Sequence, residues 1–283
     1  LQKQRPALIL AEKYRGFMLK APPNYGIGAE HNYYFSHMLN CLYDCRYCFL
    51  QGMYQSANYV LFVNYEDYYA DMQRLCAETP DQAVHFFSGY DCDSLALEPV
   101  TDFAREFLPV IRSMPNAWME LRTKSTQVRY LLETKAFDRC IIAFSFTPDE
   151  IARALEHKAP VIAKRLDALN KLQQQGWPIG LRFDPIIYED DYQQHYRDLF
   201  KTVFARINPE TLHSVSLGVF RLPDKYFKKI HKLYPEEKLF ASPLESDQGM
   251  MSYKAELEQE MMDFCTTELM NYIGQEKFFP CSM

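Results

Sequence analysis

The sequence predicts an α/β fold built from repeated βα units around a parallel sheet. Three observations carry that expectation. Strand-like and helix-like stretches alternate over most of the chain. The 283 residues are 48% hydrophobic, enough to bury a large core. The most distinctive run of residues also falls directly after the first strand candidate, where the loops of such folds carry chemistry.

Runs of apolar, β-branched or aromatic residues predict strands at 31–38, 83–88, 118–123, 140–146, 179–183 and 214–220. Amphipathic stretches predict helices at 65–78, 99–112, 126–134, 160–175, 191–206 and 224–233. A further helix is expected over 251–272, where Leu257, Met261, Phe264, Cys265, Leu269 and Tyr272 recur at three- and four-residue steps. It would pack back across the sheet. The first thirty residues show no strong period, and APPNYGIG reads as a loop punctuated by Pro and Gly. The chain thus divides into an N-terminal extension over 1–30, a βα core over 31–235 and a C-terminal extension over 236–283.

A net charge of -6 argues against a protein that coats nucleic acid by bulk electrostatics. A local basic patch is nonetheless available in Arg221, Lys225, Lys228, Lys229, His231 and Lys232, which helical spacing would align along one surface; a solvated helix face explains them equally well. Twenty Tyr and twenty Phe suit a large core or a base-stacking surface. No run of eighteen apolar residues occurs, and LQKQRPALILAEKYRG lacks a long apolar stretch with a cleavage site. A cytoplasmic protein with no membrane partner is expected. In a reducing compartment eight cysteines favour a metal cluster over disulfides, with Cys76, Cys140, Cys265 and Cys281 as ordinary buried thiols.

Three of the cysteines stand together. Cys41, Cys45 and Cys48 in NCLYDCRYCFLQG have C-x3-C-x2-C spacing and no fourth cysteine nearby. Structural zinc sites close four positions with two paired half-sites, and no second half is present. An iron–sulfur cluster held by three thiolates keeps one iron open to another ligand. His37 could complete a zinc site, so that alternative stays open at this point.

The spacing, with Tyr47 as the aromatic before the last cysteine, is similar to the cluster motif of radical S-adenosylmethionine (SAM) enzymes. NCLYDCRYCFLQG, YVLFVNYEDY, LRTK, FSFT, DPII, KLYP and the closing FFP together resemble one family of these, the spore photoproduct lyases, from about Tyr33 to Phe279. The resemblance implies a partial (β/α)6 TIM-like barrel of the radical SAM type with a C-terminal helical extension. It implies a 4Fe-4S cluster on Cys41, Cys45 and Cys48 with SAM on the open iron, and reductive cleavage of SAM to a 5'-deoxyadenosyl radical. The reaction would reverse a thymine dimer in DNA. Ser88 and Gly89 would meet the SAM amino group, Lys124 and Ser145 its carboxylate, and Asp184 the ribose hydroxyls. A reductant such as flavodoxin or ferredoxin would be the partner, and DNA a further one.

Departures from that pattern are equally specific. In the lyases a cysteine just past the second strand donates a hydrogen atom to the repaired thymine; here the aligned residue is Tyr90, with Cys92 two positions on. Tyrosines flank the third cluster cysteine in the family to relay the hydrogen, whereas this chain has Tyr47 and Phe49. Tyr47, Tyr90 and Cys92 are the candidate catalytic residues. The family's basic hairpin is replaced by acidic PLESDQGMMSYKAE, which leaves a nucleobase, nucleotide or small metabolite as the alternative substrate and a non-catalytic metal scaffold as a third reading.

Overall fold

The computed structural model describes residues 2–23 and 25–281. Six parallel strands form its spine: β1 (His31–Phe35), β2 (Val84–Ser88), β3 (Ala117–Thr123), β4 (Cys140–Ser145), β5 (Ile179–Ile186) and β6 (Leu212–Val219). They lie side by side in sequence order, so every crossover joins neighbouring strands, as a βα barrel requires. Two short strands extend the sheet. Phe278–Pro280 runs parallel to β6 at one edge, and Leu19–Lys20 runs antiparallel to β1 at the other.

The pleat sorts residue types by face. Met119, Leu121, Ile142, Phe144, Leu181 and Leu217 are fully buried on the face that packs under the helices. The opposite face carries Glu120, Arg182, Ser214 and Ser216, which fill the barrel interior with polar groups. Helices α1 (Tyr65–Glu78), α2 (Phe103–Ser113), α3 (Arg129–Glu133), α4 (Ile162–Gln174), α5 (Tyr192–Phe204) and α6 (Asp224–Leu233) occupy the expected connections. The α/β fold expected from the alternation, and the partial barrel implied by the resemblance, are the fold observed.

Several expectations are corrected. The helix expected over 99–112 is broken at Asp102, whose φ of 47° is left-handed; Glu98–Thr101 forms a separate turn, and the Glu98 carboxylate accepts from the Ala104 N–H at 3.1 Å to start α2. Asp149–Leu155 is a further short helix. The helix expected over 251–272 begins only at Ala255, as α7 (Ala255–Leu269). Met250–Tyr253 is instead a strand, paired with Leu244–Asp247 and Arg221–Pro223. The reason is local: Gln248 and Gly249, at φ 47° and 83°, make a two-residue hairpin turn, and the Ser252 hydroxyl donates to Phe220 O at 2.9 Å. Nor are the first thirty residues a loose extension. Leu8–Ala11 runs parallel to Tyr59–Phe62, which in turn pairs with Met38–Leu39 beside the cysteine loop.

Among the described residues no helix is long and apolar enough to cross a membrane.

Candidate functional site

The C-terminal ends of the parallel strands open into one cavity of about 1300 Å³. The register puts Ser88, Thr123, Ser145 and Ser216 close to the same level, because Ser88 pairs with Leu121, Thr123 with Phe144, and Arg182 with both Ser145 and Ser216. Cys41, Cys45 and Cys48 stand in the loop after β1 and line this cavity. So do Tyr47, Ser88, Gly89, Tyr90 and Cys92, as well as Lys124, Ser145 and Asp184. The candidate cluster, SAM-contact and catalytic residues therefore line one space, although their strands are far apart in the chain.

The cysteine loop is tied down from two sides. Cys45 pairs across a two-residue antiparallel bridge with Glu156, and the Arg46 N–H donates to Leu155 O at 2.8 Å. Farther along, the short helix Leu50–Met53 packs so closely on α6 that a Cβ on Gly52 would lie 2.6 Å from Tyr226 O; only glycine fits there. The three thiols are free of disulfides. Burial pushes the Cys41 thiol well up, and the charges of Asp93, Cys45 and Cys48 push it further. Three converging thiols fit a group that neutralises them. Among the described residues no three His, Cys, Asp or Glu side chains are grouped for one metal ion; a polynuclear cluster takes one thiolate per iron. The zinc alternative fails on geometry. His37 stacks on Phe103 at 3.7 Å and its Nδ1 lies 3.9 Å from Cys92 Sγ, and it does not line the cavity that the three cysteines line.

Beneath the loop lies a buried polar network that sequence reading missed. Glu156 accepts from the Tyr47 hydroxyl and from Arg165, takes Thr147 Oγ1 at 3.1 Å, and stands 3.8 Å from Lys124 Nζ. Burial opposes its ionisation, but Lys124 and Arg165 outweigh it and hold the carboxyl below the usual range. Asp93 likewise fastens the loop after β2 to the end of β3, accepting from Thr123 Oγ1 at 2.6 Å and from the Lys124 N–H at 2.7 Å. Neither carboxylate announces itself in the sequence, since each lies outside a strand end.

A family model described as spore photoproduct lyase matches residues 29–268. This chain belongs to the spore photoproduct lyase family. The spore photoproduct lyase of Bacillus subtilis (strain 168) is 24% identical over 219 residues, which cover 76% of this chain and 62% of that protein. That of Geobacillus sp. (strain Y412MC61) is 24% identical over 215 residues, again 76% of this chain and 62% of the relative. The chain thus spans about three fifths of the length of these relatives. Among solved structures, a spore photoproduct lyase variant with bound AdoMet and dinucleoside spore photoproduct superposes with a TM-score of 0.85 at 17% identity, covering 98% of this chain and 82% of that one. A complex of spore photoproduct lyase with dinucleoside spore photoproduct gives 0.84 at 17% identity, covering 97% and 82%. The likeness shows that the fold is that of the lyases.

Within this spore photoproduct lyase fold the residues around the cavity are held in different ways. Gly89 lines the cavity beside Ser88. Its φ of 76° and the Ser94 Oγ, 2.5 Å from where a Cβ would stand, show that the turn itself demands glycine. The Ser88 hydroxyl is engaged by the Glu120 carbonyl and Ser94 Oγ, both at 2.7 Å. Arg182, at the end of the fifth strand candidate, belongs to the barrel interior with Glu120. Cys92 lines the cavity, but its side chain packs against Met38 and Leu61 and meets His37. Tyr90 is 41% exposed, its ring 4.2 Å from Tyr34 and 5.5 Å from Phe49. Of the basic patch, Arg221, Lys229 and Lys232 line the cavity, whereas Lys225 and Lys228 do not. Cys281, expected to be an ordinary buried thiol, is half-buried and lines the cavity.

Proposed function

We propose that this chain is a radical SAM lyase that reverses a thymine-dimer photolesion in DNA. The observation that carries the reading is the convergence of Cys41, Cys45, Cys48, Lys124, Ser145 and Asp184 on one cavity of a spore photoproduct lyase-family barrel. Cys41, Cys45 and Cys48 would hold the 4Fe-4S cluster, and SAM would lie along the strand ends. When bound, the pair supplies one-electron cleavage of the sulfonium to a 5'-deoxyadenosyl radical. The remaining work falls to the chain. Lys124, at the end of β3, offers a charge-assisted donor to a carboxylate, and Ser145 a neutral one. Asp184, 3.7 Å from Arg221 Nη1, is an acceptor for hydroxyl groups. The apolar walls keep water from the reacting carbon.

Lys229 and Lys232 stand on the mouth side of α6 with no carboxylate partner among the described residues, where phosphates of a strand could approach. A reductant of the flavodoxin or ferredoxin class and a cytoplasmic setting belong to the same proposal. Tyr47 and Tyr90 are the candidate relay phenols, though the Tyr47 hydroxyl is held by Glu156. One observation favours a non-DNA substrate: the hairpin beside the cavity exposes Glu245 and Asp247.

The deciding experiment measures 5'-deoxyadenosine and recovered thymine from anaerobically reconstituted, dithionite-reduced protein with and without ultraviolet-irradiated DNA. Thymine recovery that depends on the protein and is lost with Cys45→Ala is the expected result. DNA-independent cleavage alone would move the substrate elsewhere, and cleavage surviving Cys45→Ala would overturn the cluster assignment.

A further inference from the structure

We propose that Cys281, carried to the cavity by the last strand, is the hydrogen-atom donor that quenches the product radical in this chain. The proposal rests on the radical reading above and names a residue for its closing step.

The placement is structural. Phe278–Pro280 adds to the barrel beside β6, with Ser216 opposite Phe279 and Leu217 opposite Pro280. The Cys281 N–H then donates to Leu217 O at 2.8 Å, fixing the residue at the level of the other functional strand ends. Next to it stands Gly218, which has no side chain to fill the space its neighbours enter. A Cβ built there would lie 3.1 Å from Cys281 Cβ, 3.2 Å from Asp184 Oδ1 and 2.9 Å from Arg221 Nη1, so these three side chains converge on one point of the wall. Ser216, only 2% exposed, lines the same wall, and its hydroxyl has no hydrogen-bond partner among the described residues. A buried hydroxyl without a partner is costly unless a ligand supplies one. Cys281 and Ser216 together therefore mark a place built for a substrate.

Chemistry distinguishes Cys281 from the other thiols. Cys41, Cys45 and Cys48 are assigned to the cluster, and Cys92 is turned into a pocket of Met38, Leu61 and His37. Burial and the neighbouring Asp184 raise the Cys281 thiol, so it carries its proton at neutral pH, the form a hydrogen-atom donor needs. In the step itself the S–H bond breaks homolytically and a C–H bond forms on the product radical, leaving a thiyl. One electron from a flavin or iron–sulfur protein reductant and one proton from solvent return the thiyl to the thiol. The C-terminal strand thereby supplies what the loop after β2, with Tyr90 in place of a cysteine, does not.

The test runs reconstituted, reduced holoprotein in D2O with the dinucleoside spore photoproduct. Wild type is expected to return thymine deuterated from the exchanged thiol. Cys281→Ala is expected to release 5'-deoxyadenosine while the yield of deuterated thymine falls by about tenfold or more; Cys92→Ala keeps the label. Undiminished deuterated thymine in Cys281→Ala, or its loss in Cys92→Ala alone, overturns the proposal. A second measurement needs no turnover: with both thiols protonated at neutral pH, iodoacetamide labelling is followed as pH is raised, and Cys281 of the holoprotein should be alkylated at lower pH than Cys92, with the dinucleoside slowing it. An inert Cys281, or one indifferent to the dinucleoside, also overturns the assignment. If wild type releases no 5'-deoxyadenosine at all, the radical reading fails, and alkylation still decides whether Cys281 faces the substrate.

Discussion

Glu120 with Arg182 and Glu156 with Arg165 are the same chemical pair, each with side chains at or below 1% exposure, set in two regions with different tasks. The first joins β3 to β5 inside the barrel. Arg182 donates to Glu120 Oε2 at 2.7 Å and to Ser214 Oγ at 2.8 Å, and Arg122 adds a contact at 3.0 Å. The second lies under the cysteine loop, where Glu156 also holds Tyr47 and faces Lys124. One pair spans β3 and β5, which their hydrogen bonds to β4 already hold in place; the other braces an irregular loop from below. Buried pairs of equal chemistry can therefore differ in what they position, and the difference is testable.

The largest expected effect comes from removing one partner of the barrel pair. Arg182→Gln leaves Glu120 with only Arg122, and unfolding in denaturant should show a loss of about 3–5 kcal/mol. A loss below about 1 kcal/mol would mean that the interior carboxylate is solvated or protonated at little cost.

Acid should reach the barrel in two stages. Burial, together with His213, lowers His85 to about 4, below its ordinary 6.5, so it is neutral in the fold. As pH falls below 6.5 the unfolded chain binds the proton first, and stability is lost at about 1.4 kcal/mol per unit until about 4. Glu120 follows. Burial would raise it, but Arg182 and Arg122 hold it at about 2 against an ordinary 4.5, so its contribution is present above 4.5 and lost as pH falls through about 2. Denaturation midpoints across this range should drop from 6.5 downward in wild type and less steeply in His85→Gln.

A smaller global effect is expected at the loop pair. Glu156→Gln keeps a hydrogen-bond acceptor for Tyr47 but removes the charge facing Arg165 and Lys124, at a cost of about 1–3 kcal/mol. Its signature should be local: faster amide exchange over 41–53 and weaker cluster retention, with the barrel amides protected. Uniform loss of protection would erase the distinction between the two pairs. The smallest effect lies outside both. Lys229→Ala and Lys232→Ala should each weaken single-stranded DNA binding a few-fold and flatten its salt dependence by about one unit of slope, with no change in fold stability.

The sequence by itself determined the βα alternation and the C-x3-C-x2-C loop, because both are written in near neighbours: period-two and period-3.6 hydrophobicity on one side, spacing of identical ligands on the other. Those signals located α1 and α6 to the residue and put the candidate site residues at strand ends or in the loops that follow them. The hairpin at Met250–Tyr253 was hidden because its Gln248–Gly249 turn interrupts a pattern that also fits a helix. Glu156 and Asp93 were hidden because a buried carboxylate looks like a surface one until its partners, nine to 109 positions away, are brought beside it. Cys281 shows the same limit most clearly: nothing near it in the chain marks a cavity, and only parallel pairing with β6 places its thiol there. Local pattern fixes which elements form, whereas contacts between strands distant in sequence decide which side chains meet.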